Sequence, residues 1–184
     1  MKYSILYADP AWLHYGDKNK DQAAGKHYSC MSPEELAALD VRTRWAEKNA
    51  VLFMWATGPM LDVAIDTLKA WKFHFRGVAF VWVKTTNAGK IISGQGVRPT
   101  VVKPTTEFCL CGTTSRTGRP LALETEAMGQ VVLAPRPGNV HSRKPPEVRR
   151  RIDALYDPGL KRIELFARER FENWDAWGDQ APPC

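Results

Sequence analysis

Five segments of this chain are apolar along nearly their whole length, and segments with helical spacing separate them. The apolar segments read YSILYA, AVLFMWAT, GVAFVWVK, EFCLCG and KRIELFAR, while VVLAP is short and ambiguous. Strands with apolar residues on both faces belong to sheets that helices cover on each side, and such sheets are mainly parallel. The pattern therefore predicts an α/β fold with a mainly parallel sheet and helices on both faces.

The helical segments are marked by start signals and by their spacing. Ser32 suits an N-cap, Pro33 fits the first turn, and Glu35 completes a capping box. A later segment, GPMLDVAIDTLKAW, repeats its apolar residues at helical spacing. The segment PPEVRRRIDALYD would place its apolar residues on one face of a helix and its arginines on the opposite face.

Size and composition limit what the chain can be. Its 184 residues, of which 44% are hydrophobic and 25% charged, suit one soluble globular domain over residues 1–184. No apolar run reaches the roughly 18 residues of a membrane-spanning helix, and no signal sequence is apparent. The four cysteines form neither a disulfide framework nor a zinc pattern, which predicts no metal and a reducing cytoplasm. Cys109 and Cys111 would share one face of a strand and pack in the core.

The net charge of +6 suits an anionic partner without proving one. Many cations fall in polar segments, where two interpretations stay open: solvated loop charge, or a surface that follows a phosphate backbone. Residues 13–28 and 84–104 form long loops, which we expect to contact the substrate. The ring residues of the first loop are His14, Tyr15, His27 and Tyr28. The cations of the polar segments are Lys18, Lys20, Lys26, Lys84, Lys90, Arg98 and Lys103 in these two loops and Arg116 and Arg119 in a third segment.

The first apolar run ends in ADPAW, which places a carboxylate at the end of a buried strand. Ligands of open α/β sheets bind beyond the carboxyl ends of the strands. Three roles for Asp9 fit this position: an acid that holds magnesium, a cap or loop staple, and an acid that binds a ligand directly. The chain has no G-x-x-x-x-G-K-[ST] phosphate-binding loop, which argues against the magnesium role.

The residues after Asp9 favour direct binding of a ligand. Pro10 drives the preceding residue to an extended conformation and so fixes the direction of Asp9. Because Pro10 has no amide proton, its carbonyl is expected to stay free as a second acceptor. Trp12 adds a flat apolar plate. Two acceptors beside an aromatic plate suit the amino group of a purine or pyrimidine, which has two protons to donate.

Taken together, these motifs resemble those of a known methyltransferase family. ADPAW resembles the D-P-P-W motif of the adenine methyltransferases typified by the seventy-kilodalton subunit of the eukaryotic mRNA adenosine methyltransferase. GNVHSRKPPEV and KRIELFARERFENWDAWGDQ resemble that family's H-S-x-K-P, E-L-F-[GA]-R and W-x-x-W-G-[ND]-[QE] motifs. The likeness covers most of the chain. The order of motifs, acceptor motif first and cofactor strand last, implies a permuted Rossmann-like methyltransferase.

The resemblance implies transfer of a methyl group from S-adenosylmethionine to the exocyclic amino group of adenine. In that reaction Asp9 and the Pro10 carbonyl would be the catalytic groups that hold the amino group. Trp12 would stack on the base or wall it in. Phage and bacterial members of the family modify DNA, so DNA is the expected substrate. RNA as the substrate and a catalytically silent nucleic-acid-binding partner both stay open, as do a monomer and a homodimer.

The resemblance also assigns the cofactor site, in which Asp9 takes part. Lys144 would meet the methionyl carboxylate, and Phe166 and Arg168 would lie at the nucleoside. Asp179 and Gln180 would lie near the adenine moiety. Plainer alternatives remain for three of these residues: Lys144 as a solvated residue before a helix, Phe166 as a core residue, and Arg168 in a surface pair with Glu164 or Glu169.

The chain departs from the family pattern at Ala11, where the motif has a second proline. This substitution frees Pro10 from the restriction that a following proline imposes. The loop gains conformational freedom of about 0.4–1 kcal/mol in the unfolded chain. Because both acceptors and the indole are retained, we expect activity to be reduced at most.

Overall fold

The computed structural model describes residues 1–12, 30–92, 101–137 and 143–181. Its strands are β1 (Tyr3–Ala8), β2 (Ala46–Thr57), β3 (His74–Thr85), β4 (Thr106–Thr113), β5 (Val131–Pro135), β6 (Arg162–Leu165) and β7 (Asp175–Trp177). Its helices are α1 (Pro33–Ala37), α2 (Val41–Trp45), α3 (Leu61–Ala70) and α4 (Pro146–Leu155), with a 3₁₀ turn over Gly58–Met60.

The described strands form one seven-stranded sheet in the order β5-β3-β4-β2-β1-β6-β7. The pairings β1/β2, β1/β6, β3/β5 and β6/β7 are parallel, which confirms the predicted mainly parallel sheet. Strand β4 is antiparallel to both of its neighbours, β2 and β3. The residues at its start therefore lie at the edge of the sheet where β1, β2 and β3 end.

Each face of the sheet packs against helices, as predicted. On one face, Leu6 and Leu52 belong to a buried cluster with residues of the first three helices. On the other face, Ile5 and Phe53 pack with Val148 and further residues of α4. Adjacent residues of β1 and β2 thus enter opposite cores, because successive side chains of a strand point to opposite faces. The strands are apolar throughout because both of their faces are covered.

The local predictions fare differently from one element to another. The capping box at the start of α1 is confirmed, since the Ser32 hydroxyl accepts from the Glu35 amide and the Glu35 carboxylate accepts from the Ser32 amide. The short helix α2 and strand β7 were not predicted. The prediction that all arginines of α4 lie opposite its apolar face was wrong: Arg149 points inward and pairs with Glu164 on β6.

Two expectations from composition can also be compared with the fold. Cys109 is fully buried and Cys111 packs partly buried against the same core, as predicted. Burial raises the pKa of the Cys109 thiol well above its usual value. None of the helices in the described ranges has the length and apolar character that crossing a membrane requires.

Candidate active site

The site is built around the turn that follows β1. The backbone amide of Asp9 donates to the carbonyl of Leu165 at 3.5 Å, so Asp9 lies beside the end of β6. The Pro10 carbonyl accepts the backbone amide of Trp12 at 2.9 Å. The prediction that this carbonyl stays free was therefore wrong, because the tight turn brings the Trp12 amide back onto it. A carbonyl oxygen has two lone pairs, so one acceptor position remains.

Trp12 is part of the core at this point. The residue is only 6% exposed, and its Nε1 donates to the carbonyl of Trp55 at 3.1 Å. The loop is tied down further because Met31 donates its backbone amide to the Ala11 carbonyl at 3.0 Å. The indole therefore holds the turn on the end of β2, and its predicted contact with the acceptor base stays a prediction.

Replacing Trp12 by alanine is expected to lower the free energy of unfolding by about 3–5 kcal/mol, the usual cost of emptying a buried aromatic site. Trp12→Phe keeps an aromatic ring and loses the hydrogen bond to Trp55 and part of the buried ring volume, so its cost should be smaller. Urea unfolding of the two variants measures this difference. A Trp12→Ala protein as stable as the parent would show that the indole does not hold the turn.

Four charged side chains of alternating sign lie in line across the ends of the strands. Lys84 Nζ is 2.6 Å from Glu107 Oε1, and Lys144 Nζ is 3.4 Å from Glu107 Oε2. The same Lys144 Nζ donates to Asp9 Oδ2 at 2.7 Å. We call Lys84, Glu107, Lys144 and Asp9 the charge row. The sequence did not identify Glu107, and it placed Lys84 in a loop, whereas Lys84 lies on β3 and pairs within the row.

Burial and pairing have opposing effects on the pKa values of the charge row. It raises the pKa of Asp9 above the usual carboxyl value, although Lys144 opposes this change. Burial alone would lower the pKa of Lys144, but Asp9 and Glu107 raise it, so the ammonium stays charged. The two lysines hold the pKa of Glu107 below its usual value despite its burial. The row thus brings two carboxylates and two ammonium groups together at the end of the sheet.

A first cavity opens beside Asp9. Phe166 and Trp177 provide apolar walls, and Asp179 and Gln180 provide polar groups. Cofactor sites are mainly apolar, with a few polar groups that orient the ligand. The cavity suits a nucleoside, whose base needs apolar walls and whose ribose needs hydrogen-bonding partners. It brings together Asp9, Pro10, Phe166, Arg168, Asp179 and Gln180, all of which the sequence had assigned to the site.

The shape of the first cavity depends on two unusual backbone positions. Phe166, directly after β6, has a φ of 62°, which is uncommon for a residue other than glycine. Its ring stacks on Trp71 with centroids 6.3 Å apart and meets the edge of Trp177 at 5.6 Å. Gly178, directly after β7, leaves no room for a side chain, because a Cβ there would lie 2.8 Å from the Ala167 backbone nitrogen.

A second cavity lies on the α4 side of Asp9. It shares Asp9, Phe166 and Arg168 with the first cavity and adds Lys144 and Arg149. Arg149 pairs with Glu164, and its guanidinium carbon lies 3.4 Å from the centroid of the Phe171 ring. Burial raises the pKa of Glu164 to about 7. The neighbouring acid Glu169 pairs with Arg143, so both carboxylates considered for Arg168 are paired with other arginines.

Many residues of the expected substrate loops lie outside the described ranges. Among them are His14, Tyr15, Lys18, Lys20, Lys26, His27, Tyr28 and Arg98. Of the described cations, Lys84 is paired inside the charge row and Arg119 pairs with Glu126 at the surface. Lys84 was interpreted as part of a phosphate-binding surface. Its pairing with Glu107 corrects this interpretation.

Comparison with known proteins gives consistent matches. The MT-A70 family model matches residues 3–180. Type II methyltransferase M.MunI of a Mycoplasma species is 32% identical over 98% of this chain and 78% of its own length. N(6)-adenine-specific methyltransferase METTL4 of Mus musculus is 24% identical over 97% of this chain and 37% of its own length. N6-methyladenosine RNA methyltransferase MTA1 of Cryphonectria parasitica is 24% identical over 97% of this chain and 51% of its own length.

The chain thus spans most of the Mycoplasma relative but about a third to a half of the other two. The family match includes both ends of the site, from the turn after β1 to the polar pair after β7. Since that match extends over nearly all of its residues, the chain belongs to the MT-A70 family, whose members are adenine methyltransferases that use S-adenosylmethionine.

Proposed function

We propose that this protein methylates the exocyclic amino group of adenine in DNA. The observation that carries the proposal is the position of Asp9, whose side chain borders both cavities at the end of β1. Because the two cavities would hold the two ends of the cofactor, Asp9 would lie beside the middle of the cofactor, where the methyl group is carried. The turn after β1 holds Asp9 in place.

The first cavity is proposed to hold the nucleoside part of the cofactor. Phe166 and Trp177 would contact the base, and Asp179, Gln180 and Arg168 would bind polar groups of the nucleoside. Lys144 is proposed to meet the methionyl carboxylate from the second cavity, where its ammonium stays charged. When bound, S-adenosylmethionine supplies a methyl group on a sulfonium, which is already a strong electrophile.

The chain's own part in the reaction is positioning and electrostatics. Asp9 Oδ2 accepts a hydrogen bond from Lys144, so Oδ1 would accept a hydrogen bond from the adenine amino group. The remaining lone pair of the Pro10 carbonyl would accept the other. These two bonds direct the nitrogen lone pair toward the methyl group. Asp9 would also take up the proton that the amino group loses on methylation.

DNA is the proposed substrate for two reasons. The type II methyltransferase is matched over 78% of its own length, whereas the relative named as an RNA methyltransferase is matched over 51%. The motifs also resemble the phage and bacterial branch that modifies DNA. In a duplex the target adenine must leave the base stack at a cost of a few kcal/mol before it reaches Asp9.

Three further features belong to the same proposal. Residues 1–184 are proposed to form a single methyltransferase domain, which the family match over residues 3–180 supports. The protein is proposed to act in the cytoplasm of a bacterial or phage-infected cell. Its oligomeric state is proposed to be monomer or homodimer.

The net charge of +6 gives a prediction for DNA binding. If the basic residues follow the phosphates, the affinity for duplex DNA should fall as salt rises, with a log–log slope of about −0.9 per phosphate neutralised. Fluorescence anisotropy with a labelled duplex at several salt concentrations measures the slope. An affinity that does not respond to salt would assign these cations to ordinary solvated charge.

The proposal is tested by transfer of a tritiated methyl group to matched single- and double-stranded DNA and RNA. We expect label in adenine-containing DNA and none in the same sequence with adenine replaced. Label confined to RNA would move the function to the substrate named for the fungal relative. Binding of all four substrates without transfer would identify a silent nucleic-acid-binding member of the family.

A further inference from the structure

We propose that Lys84 and Glu107 are positioning residues, which set the charge and orientation of the Asp9 carboxylate by acting through Lys144. This inference rests on the proposed function, in which Asp9 receives the adenine amino group. Neither residue borders the two cavities, so neither is expected to touch the cofactor.

The geometry of the charge row carries the inference. Glu107 uses one oxygen for Lys84, at 2.6 Å, and the other for Lys144, at 3.4 Å. Lys144 has its shorter contact with Asp9, at 2.7 Å. The side chain of Lys144 is 9% exposed, and those of Glu107 and Lys84 are 13% and 22% exposed. The groups are thus close together and largely shielded from solvent.

Burying such a row is unfavourable, since each ion loses its hydration. An isolated pair of Lys144 and Asp9 would keep the ammonium on the carboxylate with less buried charge. The additional pair has a different effect: Glu107 competes with Asp9 for the single ammonium of Lys144, and Lys84 limits that competition. The strength of the pairing between Lys144 and Asp9 therefore depends on two residues that do not contact Asp9.

The fold fixes the positions of Glu107 and of the two lysines in the charge row. Because β4 runs antiparallel to its neighbours, Glu107 near its start pairs with Thr57 at the end of β2 and lies at the same sheet edge as Asp9. Lys84 lies 5.3 Å from the ring of Trp82, and Lys144 lies 5.8 Å from the ring of Trp55. Aromatic faces attract cations at such distances, so each ammonium has a defined position.

Opposite effects on the pKa of Asp9 follow from this arrangement. In Lys84→Met, Glu107 loses one cation and draws Lys144 away from Asp9, so the pKa of Asp9 should rise. In Glu107→Gln, the competing carboxylate is removed and Lys144 pairs with Asp9 alone, so the pKa of Asp9 should fall. In Lys84→Met combined with Glu107→Gln, the lysine substitution should have no further effect, because Lys84 acts only through Glu107.

Other groups that face Asp9 are unaltered in these variants. Arg168 interacts with Asp9 from the segment after β6, and Glu164 from β6 itself. Cys109 on β4 also interacts with Asp9, but burial keeps its thiol neutral. Since Glu164 titrates near pH 7, it could contribute to the pH profile of every variant. The difference between variants is therefore the quantity that reports on Asp9.

The direct test is a carbon-13 NMR titration of the Asp9 carboxyl group in the parent, in the two single variants and in the double variant. We expect the midpoint to move up by about half a pH unit or more in Lys84→Met and down by a similar amount in Glu107→Gln. Lys84→Arg keeps the charge and should restore the parent value. Lys69→Met removes an exposed cation that pairs with Asp66 on α3 and should change nothing.

Steady-state methylation gives the functional readout. Turnover should fall about tenfold in both single variants, as expected when a reacting group is displaced. The acid limb of the pH profile should move in the two opposite directions. The inference would be overturned if the Asp9 midpoints of the two single variants shifted in the same direction. It would also be overturned if Lys84→Met shifted the midpoint as much in the Glu107→Gln protein as in the parent. A parent without methylation activity would refute the proposed function instead, and the NMR titration would still decide this one.

Discussion

Asp9→Asn should lower methyl-transfer turnover by about 10²-fold or more, the usual scale when a key preorganised group is removed. The substitution keeps the shape of the side chain but replaces an acceptor by an amide donor, which would face the two protons of the adenine amino group. It also leaves Glu107 as the remaining carboxylate on Lys144, at 3.4 Å. Cofactor affinity should change much less, because most of the first cavity comes from the segments after β6 and β7.

The matched control for this variant is Asp66→Asn, which removes an exposed carboxylate on α3 that pairs with Lys69. Its turnover should equal that of the parent. Steady-state kinetics with an adenine-containing oligonucleotide and calorimetry with S-adenosylhomocysteine separate turnover from cofactor binding. If Asp9→Asn turns over like the parent, the strand ends in a structural acid and the proposed role of Asp9 is wrong.

Gly178→Ala should weaken cofactor binding by about tenfold or more and lower the free energy of unfolding by about 1–3 kcal/mol, the usual cost of overpacking. A Cβ at this position would lie 2.8 Å from the nitrogen and 2.9 Å from the oxygen of Ala167, and these backbone atoms cannot rotate away. The Ala167 amide donates to the Trp177 carbonyl at 2.9 Å, so the two strand ends would separate. Asp179 and Gln180 would move with the end of β7.

Gly129→Ala is the control, since a Cβ there has no atom within 4 Å. Its cofactor affinity and stability should match those of the parent. Calorimetry with S-adenosylhomocysteine and thermal unfolding measure both quantities. Parent-like cofactor binding by Gly178→Ala would show that the polar pair after β7 does not contribute to the cofactor site.

The sequence predicted the sheet well because burial on both faces leaves a clear pattern. The runs that became β1 and β2 are mostly apolar on both faces of the strand. The structure places the two faces in separate cores. The N-cap of α1 was also predictable, because capping depends on residues three positions apart. Strand β7 was missed since it has only three residues, none of them buried.

Strand direction was the main structural feature that the sequence did not reveal. An apolar run looks the same whether its strand is parallel or antiparallel to its neighbours, so the reversal of β4 could not be predicted. In a parallel strand, Glu107 would lie at the edge remote from Asp9. Its place in the charge row is thus a consequence of topology, and no local pattern signalled it.

The sequence predicted several residues that the structure brings together at one cavity, but it did not predict their surroundings. Motif resemblance indicated Asp9, Arg168 and Gln180, and the structure gathers them around the first cavity. The burial of Trp12 and the bond on the Pro10 carbonyl depend on where β2 and the Trp12 amide lie in space. Such contacts join residues far apart in sequence or depend on the shape of a turn, so spacing alone does not indicate them.

The central claim is that Asp9 directs methyl transfer to the amino group of adenine in DNA. It is tested most directly by incubating the parent and Asp9→Asn with S-adenosylmethionine and duplex DNA, digesting the DNA to nucleosides, and measuring methylated products by mass spectrometry. We predict N6-methyladenine from the parent and at least about a hundredfold less from the variant. Methylation of another base, or equal N6-methyladenine from both proteins, would contradict the claim.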